Sequence, residues 1–211
     1  NLGFIYYEGQ YAKRDIYKAI HYYSLAANQN HTEAQFNLGV IFCESQYATL
    51  NIEKAIHYFS LAANQNHAEA QFNLGVIFCE SQYVTPDIEK AIHFYSLAAN
   101  QGHSQAQFNL GVIYFKGQYI TRDIKKVIHY FSLAANQNVP QAQFNLGLIY
   151  HKNQFVTQDI KKAIHYYLLA SNQNHPQAQF NLGVIYCEGQ HVSQDINKAI
   201  HFYSLAANQN Y

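Results

Sequence analysis

The sequence predicts an all-α fold in which helical repeats follow one another as an α-α superhelix, or solenoid. The phrase Ala-Gln-Phe-Asn-Leu-Gly occurs five times without change at intervals of 36 residues, beginning with residues 34–39. A second phrase, seen at Lys54–Asn66, recurs at the same interval with few substitutions. A fixed period of about 20–50 residues is typical of proteins whose stacked units share one core. We therefore expect one domain, residues 1–211, made of a truncated repeat 1–31 and repeats 32–67, 68–103, 104–139, 140–175 and 176–211.

The first predicted helix of each repeat is illustrated by residues 68–80. Ala70, Leu74 and Ile77 recur there at helical spacing and make one apolar stripe. Gly75 lies inside this helix, although glycine in a helix interior costs about 1 kcal/mol relative to alanine. Because every repeat carries this glycine, we expect a neighbouring helix to pass too close for a Cβ atom.

A loop and a second helix complete the repeat. The loop is expected over Ser81–Pro86, and Asp87 is a suitable N-cap for the helix that follows. That helix is expected to end near Asn100, just before Gly102. Asparagine takes the place of Gly102 in the other repeats. At the position of Ser81 other repeats carry Gly9, Gly117, Gly189 and Asn153, and both residue types tolerate the left-handed backbone of a helix end.

The composition argues against two classes of partner. The chain has 13 basic and 13 acidic residues, so its formal net charge is zero, and only 12% of its residues are charged. Nucleic-acid binding needs a basic surface. No apolar run reaches the roughly 18 residues of a membrane span. We expect neither nucleic acid nor a membrane as the partner.

The cysteines and the ends of the sequence suggest a compartment and a fragment. Cys43, Cys79 and Cys187 occupy equivalent positions of different repeats, which should lie about 10 Å apart, too far for disulfide bonds. Free thiols favour a reducing, cytoplasmic location. The chain contains no methionine and begins inside the repeated phrase, so we expect a fragment of a longer protein. Uncapped terminal repeats also predict end-to-end self-association.

Histidine is the main candidate for chemistry, and two sets of histidines recur. The first set lies on a polar face of the second helix and is expected to be exposed to solvent: His21, His57, His93, His129, His165 and His201. The second set lies in the turn between repeats and is expected to flank the first helix: His31, His67, His103 and His175. Neither set has the spacing of a metal site, and no catalytic motif is present. We expect no catalytic residues, no cofactor and no metal.

The repeated unit resembles the Sel-one-like repeat (SLR), a relative of the tetratricopeptide repeat, along the whole chain. In one repeat the resemblance rests on Ala106, Leu110, Gly111, Tyr114, Gly117, Asp123, Lys126, Tyr130, Ala134 and Ala135. It implies a right-handed superhelix of paired antiparallel helices. It also implies a role as an adaptor that assembles protein complexes.

An invariant asparagine of the first helix is the candidate binding residue. In the tetratricopeptide relatives, the asparagine before Leu-Gly lines a concave groove and hydrogen-bonds a bound peptide. The alternative is that it bonds within the scaffold, and the sequence leaves both interpretations open. The expected groove residues are Asn37, Asn73, Asn109, Asn145, Asn181, Val76, Val112, Glu44, Glu80, Lys116 and Lys152.

Three functions follow from these observations. The first is a non-enzymatic scaffold that binds a protein or an extended peptide. The alternative is the regulatory or targeting array of an enzyme whose catalytic domain lies outside this fragment. RNA binding by helical repeats is the third, and the neutral charge argues against it.

Overall fold

A computed structural model describes residues 2–44, 51–80, 84–118, 120–189, 191–209 and 211, and all regular structure in these ranges is α-helical. The described residues contain α1 (Leu2–Glu8), α2 (Ile16–Ala27), α3 (Thr32–Cys43), α4 (Ile52–Asn64), α5 (Ala68–Glu80), α6 (Ile88–Asn100), α7 (Ser104–Lys116), α8 (Ile124–Asn136), α9 (Pro140–His151), α10 (Ile160–Ser171), α11 (Pro176–Glu188) and α12 (Ile196–Ala207). The predicted all-α fold with two helices per repeat is confirmed. The chain forms two compact units, Asn1–Ala106 and Gln107–Tyr211, with α7 across the boundary.

Within each unit, successive helices pack against one another. The first predicted helix coincides with α5 and the second with α6. Part of the predicted loop, residues 81–83, lies outside the described residues. In the turn after α6, Gly102 has φ +86°, and the equivalent asparagines have φ between +60° and +63°. Asparagine therefore adopts the left-handed backbone at this helix end, as glycine does.

The second helix of each repeat begins with a side-chain cap. The Oδ1 atom of Asp87 accepts a hydrogen bond from the backbone N–H of Lys90 at 3.0 Å. Asn51 makes the same bond at the start of α4, at 2.9 Å. These bonds satisfy N–H groups that have no partner inside the helix, and the predicted N-cap role is confirmed.

The glycine of the first helix lies against an aromatic ring of the second. A Cβ atom at Gly75 would lie 2.5 Å from Cδ1 of Tyr95, closer than side-chain carbons approach one another. Tyr95 is completely buried, as are Ala91 and Ala98 on the same helix. The predicted close approach is confirmed, and its cause is the ring packed across the helix pair.

Buried glutamines join one repeat to the next. Gln71 donates from Nε2 to the carbonyl oxygen of Ala63 at the end of α4, at 3.2 Å. Its Oε1 atom accepts from Nε2 of Gln101, in the turn after α6, at 2.7 Å. Equivalent glutamine pairs recur in the second unit, where Gln173 donates to Gln143 at 2.8 Å. One side chain thus fixes the first helix of a repeat to the ends of two second helices.

Candidate functional site

The candidate site is the face of the first helices that carries the invariant asparagines, here called the asparagine stripe. On α5 this face consists of exposed Glu69 and Glu80, with half-buried Asn73 and Val76 between them. The equivalent asparagines are half-buried in both units: Asn37, Asn73, Asn109, Asn145 and Asn181. Each precedes a fully buried leucine in the helix yet retains solvent contact itself, a position suited to binding as well as to structure.

Two asparagines of the stripe make bonds within the scaffold. Asn37 donates from Nδ2 to the carbonyl oxygen of Glu33 in its own helix, at 2.8 Å. The amide of Asn181 hydrogen-bonds to the hydroxyl of Tyr167. Burial raises the pKa of Tyr167 far above its usual range, and the bond from Asn181 opposes that shift. At these two positions the scaffold interpretation of the asparagine therefore has a concrete basis.

The charged candidate residues lie at the ends of the first helices. Glu44 follows α3 and accepts a hydrogen bond from the hydroxyl of Tyr7 at 3.2 Å. Glu80, Lys116 and Lys152 are exposed at or just after the ends of α5, α7 and α9. The sign of the charge at this position therefore changes between repeats, as the sequence predicts. Val112, on α7, is half-buried like Val76.

Two predicted residues meet in a cavity of the second unit. Asn145 and Lys152, separated by two turns of α9, line a cavity of about 120 Å³. Its remaining walls are mostly apolar and include Phe115, Phe131 and Phe155. We call this space the aromatic cavity. It combines apolar surface with a few polar groups, which is the usual character of a binding pocket.

A second, smaller cavity of about 60 Å³ lies one repeat further along the same unit. Its lining is polar and includes His151, Glu188 and His191, so we call it the histidine cavity. Burial lowers the pKa of His151, and the carboxylate of Glu188 partly offsets this effect. His151 also contacts Tyr167, with 3.3 Å between Nδ1 and the hydroxyl oxygen. Its histidines were not predicted as site residues, because His151 and His191 do not belong to either recurrent set.

The two recurrent sets of histidines have the predicted locations. The first set, represented by His93, is exposed on the second helices. In the second set, His67 is the residue before α5 and accepts from the N–H of Ala70 through Nδ1 at 3.2 Å. The same ring stacks on Phe36 with centroids 4.6 Å apart, and its Nε2 lies 3.3 Å from Oε2 of Glu33. Both expectations are confirmed, and the second set also links neighbouring repeats.

The described residues contain no group of three His, Cys, Asp or Glu side chains that could hold a metal ion. In the same described ranges, every helix is too short or too polar to cross a membrane. The described part of the second unit thus carries an apolar recess and a polar recess.

The model of the Sel1 repeat matches six consecutive segments, residues 1–31, 32–67, 68–103, 104–139, 140–175 and 176–211. The chain belongs to the Sel1 repeat family. None of the curated proteins matches the sequence. The family resemblance expected from the repeated phrases is confirmed.

Two solved structures of Sel1 repeat proteins are similar along almost the whole chain. One is c5321, a protective antigen present in uropathogenic Escherichia coli strains, with a TM-score of 0.92 at 29% identity over 99% of this chain. The chain spans 44% of the length of that antigen. The other is a Sel1 repeat protein from Oxalobacter formigenes, with a TM-score of 0.78 at 30% identity, covering 98% of this chain and 85% of that one.

Proposed function

We propose that this chain is a non-catalytic scaffold that binds an extended peptide segment of a partner protein along the asparagine stripe of each unit. Sel1 repeats generally serve as protein-interaction scaffolds, and the family model covers the whole chain. The observation that carries the proposal is the aromatic cavity, where Asn145 and Lys152 lie beside aromatic side chains. A peptide crossing this face could place a side chain in the cavity while its backbone bonds to the amide of Asn145.

The expected affinity is modest. Each hydrogen bond from an asparagine to the peptide backbone contributes only about 1 kcal/mol net. Ordering a flexible peptide opposes binding by an amount equal to several such bonds. Asn37 and Asn181 already bond within the scaffold, which reduces what they can offer a ligand. We expect dissociation constants in the micromolar range.

The register of the peptide is expected to follow the charges rather than the asparagines, because the asparagines repeat identically. Glu44 and Glu80 in the first unit would attract a basic segment. Lys116 and Lys152 in the second unit would attract an acidic one. Complementary charges of this kind mainly determine specificity and association rate.

A library of displayed random linear peptides, selected against the purified chain, tests the proposal. The variant Asn73→Ala with Asn145→Ala removes one amide from each unit. We expect it to weaken the selected peptides about tenfold or more, given about 1 kcal/mol for each lost bond. The matched control, His93→Ala with His165→Ala, changes the exposed face of the second helices and should leave binding unchanged. Thermal melts establish that both variants fold. Loss of binding in the histidine variant alone would place the site on the opposite face.

The remaining expectations stay predictions with their own tests. The full reading frame would decide whether the chain is a regulatory or targeting array attached to a catalytic domain. Filter binding with labelled RNA at low salt would test the expectation of no nucleic-acid partner. Sedimentation over a range of concentrations would test end-to-end self-association. Fractionation of cells that express the full protein would test the cytoplasmic location.

A further inference from the structure

We propose that the aromatic cavity is a subsite for a leucine-sized apolar side chain with acidic residues beside it, on an extended peptide segment of the partner protein. This inference rests on the proposed function and assigns a chemistry to one part of the site. Size, wall composition and charge support it independently of one another.

The size and walls of the cavity suit an apolar side chain. Its volume of about 120 Å³ is close to that of engineered apolar cavities, about 150 Å³, that bind benzene. The rings of Phe115 and Phe155 meet edge to face with centroids 5.6 Å apart, and Phe131, only 1% exposed, lines the interior. Leu148 and Ile149 complete the apolar lining, whereas Lys152, which also lines the cavity, is exposed.

The aromatic walls are held in place by an arginine. The Nε atom of Arg122 donates to the carbonyl oxygen of Phe115 at 2.7 Å. Its guanidinium lies 5.6 Å from the ring centroid of Phe115 and 5.1 Å from that of Phe155. These contacts fix the recess before a ligand arrives, which lowers the entropy cost of binding. They also place a second cation beside the cavity.

The charge of the second unit favours acidic residues beside the apolar side chain. Residues 107–211 contain eight lysines and arginines and four acidic residues, a net charge of +4. Residues 1–106 contain five basic and nine acidic residues, a net charge of −4, so the neutral total conceals two opposite halves. Lys152 and Arg122 are the cations next to the cavity, and an anionic segment would gain from both.

The histidine cavity shows that this chemistry is not repeated in the next repeat. At the sites equivalent to Phe115, Lys152 and Phe155, the next repeat carries His151, Glu188 and His191. Apolar phenyl rings are exchanged for polar imidazoles, and the cation is exchanged for a carboxylate. A leucine with acidic neighbours would therefore be accepted in the aromatic cavity and rejected one repeat further along. Such a difference can fix both the register and the direction of a bound peptide.

The test uses fluorescent synthetic peptides with blocked termini, so that no terminal charge contributes. The probe is Ser-Gly-Glu-Glu-Leu-Glu-Glu-Gly-Ser; one comparison peptide has serine for leucine, and another has lysine for every glutamate. Fluorescence anisotropy with the full chain should give about tenfold tighter binding for the probe than for the serine peptide. The lysine peptide should bind more weakly than either at low salt. Equal affinities for the leucine and serine peptides would overturn the proposal without any variant.

Variants locate the binding. Phe155→Ala should abolish the advantage of leucine over serine, and Lys152→Glu should weaken the probe about tenfold at low salt and little at about 0.5 M salt. Lys161→Glu, an exposed lysine of α10 outside the cavity, is the matched control with the same net charge and should weaken the probe much less than Lys152→Glu. Equal losses in both lysine variants would mean that net charge alone attracts the peptide, which would also refute the subsite. If the selected library peptides lose affinity in the Asn73 and Asn145 variant while the probe does not bind, the inference is wrong and the proposed function stands. If no linear peptide binds the chain, both are wrong.

Discussion

Replacing Gly75 with alanine should destabilise the protein, although the same change in most helices is stabilising. The added Cβ would lie 2.5 Å from Cδ1 and 2.6 Å from Cε1 of Tyr95, whereas ordinary carbon contacts begin at 3.4 Å. The ring has no room to retreat, because Tyr95 is completely buried and also packs against Phe72, with centroids 5.8 Å apart. Overfilling a packed core costs about 1–3 kcal/mol, and helix propensity returns about 1 kcal/mol.

The net loss for Gly75→Ala is therefore about 0–2 kcal/mol, which is a fall of up to roughly 8 °C in melting temperature for a chain of this length. Urea unfolding followed by circular dichroism measures it. A double-mutant cycle with Tyr95→Leu should give a coupling of about 1 kcal/mol or more, because the smaller side chain relieves the overlap. Purely additive effects would mean that the ring is not the obstacle.

Gly102→Asn is the matched control for this change. Gly102 has a positive φ, no described atom lies within 4 Å of a Cβ built there, and asparagines occupy the equivalent position with similar backbone angles. We expect its stability to stay within about 0.5 kcal/mol of the wild type. If Gly75→Ala proved as stable as this control, or more stable, the steric explanation of the repeated glycine would be refuted.

Three further predictions concern the scaffold. Gln71→Leu should cost about 1–3 kcal/mol in urea unfolding, because it removes two hydrogen bonds, to the carbonyl of Ala63 and from the amide of Gln101, each worth about 0.5–1.5 kcal/mol net. An unchanged midpoint would show that this bonding does not hold the repeats together. Tyr167→Phe should lower the melting temperature, because it removes the hydroxyl that bonds to Asn181. Tyr23→Phe should leave the melting temperature equal or higher, because no described group bonds to the buried hydroxyl of Tyr23. Equal falls in melting temperature for both variants would contradict this difference. The hydrogen bond from the backbone N–H of Lys90 lowers the pKa of Asp87, so the stability from this cap is present above about pH 4 and is lost as the pH falls through the lowered pKa. Thermal melts of Asp87→Asn should therefore show a smaller fall in melting temperature on acidification than those of the wild type. An identical fall would contradict the reasoning.

The helices could be predicted from the sequence because their signals are local and repeated. The spacing of apolar residues predicts a helix over residues 68–80, which is the extent of α5, and Asp87 marks the start of the second helix within one residue. The glycine of the first helix could also be interpreted, since a penalty accepted in every repeat implies a steric reason. Six copies of one pattern average out the exceptions that obscure such signals in a single helix.

The buried glutamine was missed, although a signal for it was present. Gln71 lies between Ala70 and Leu74 on the apolar face of α5, and a polar residue repeated on a buried face needs a partner. That partner, Gln101, is 30 residues away, in a turn whose position depends on the packing of two helices. The aromatic cavity was missed for a related reason. Phe115 and Phe155 come from different repeats, and only the fold brings them together.

The invariant and the variable positions of the repeat have different physical roles. Contacts within the scaffold account for much of the invariance: glycine against a buried ring, glutamine between helix ends, aspartate at an N-cap, and asparagine bonded at Asn37 and Asn181. Invariance therefore gives no ground for assigning partner specificity to the asparagines. The positions that vary, represented by Phe115 and Lys152, surround the two cavities of the second unit and change from apolar and cationic to polar and anionic within one repeat. A surface built from identical repeats can distinguish one register of a ligand from another only at such positions, so selectivity for the partner should reside there.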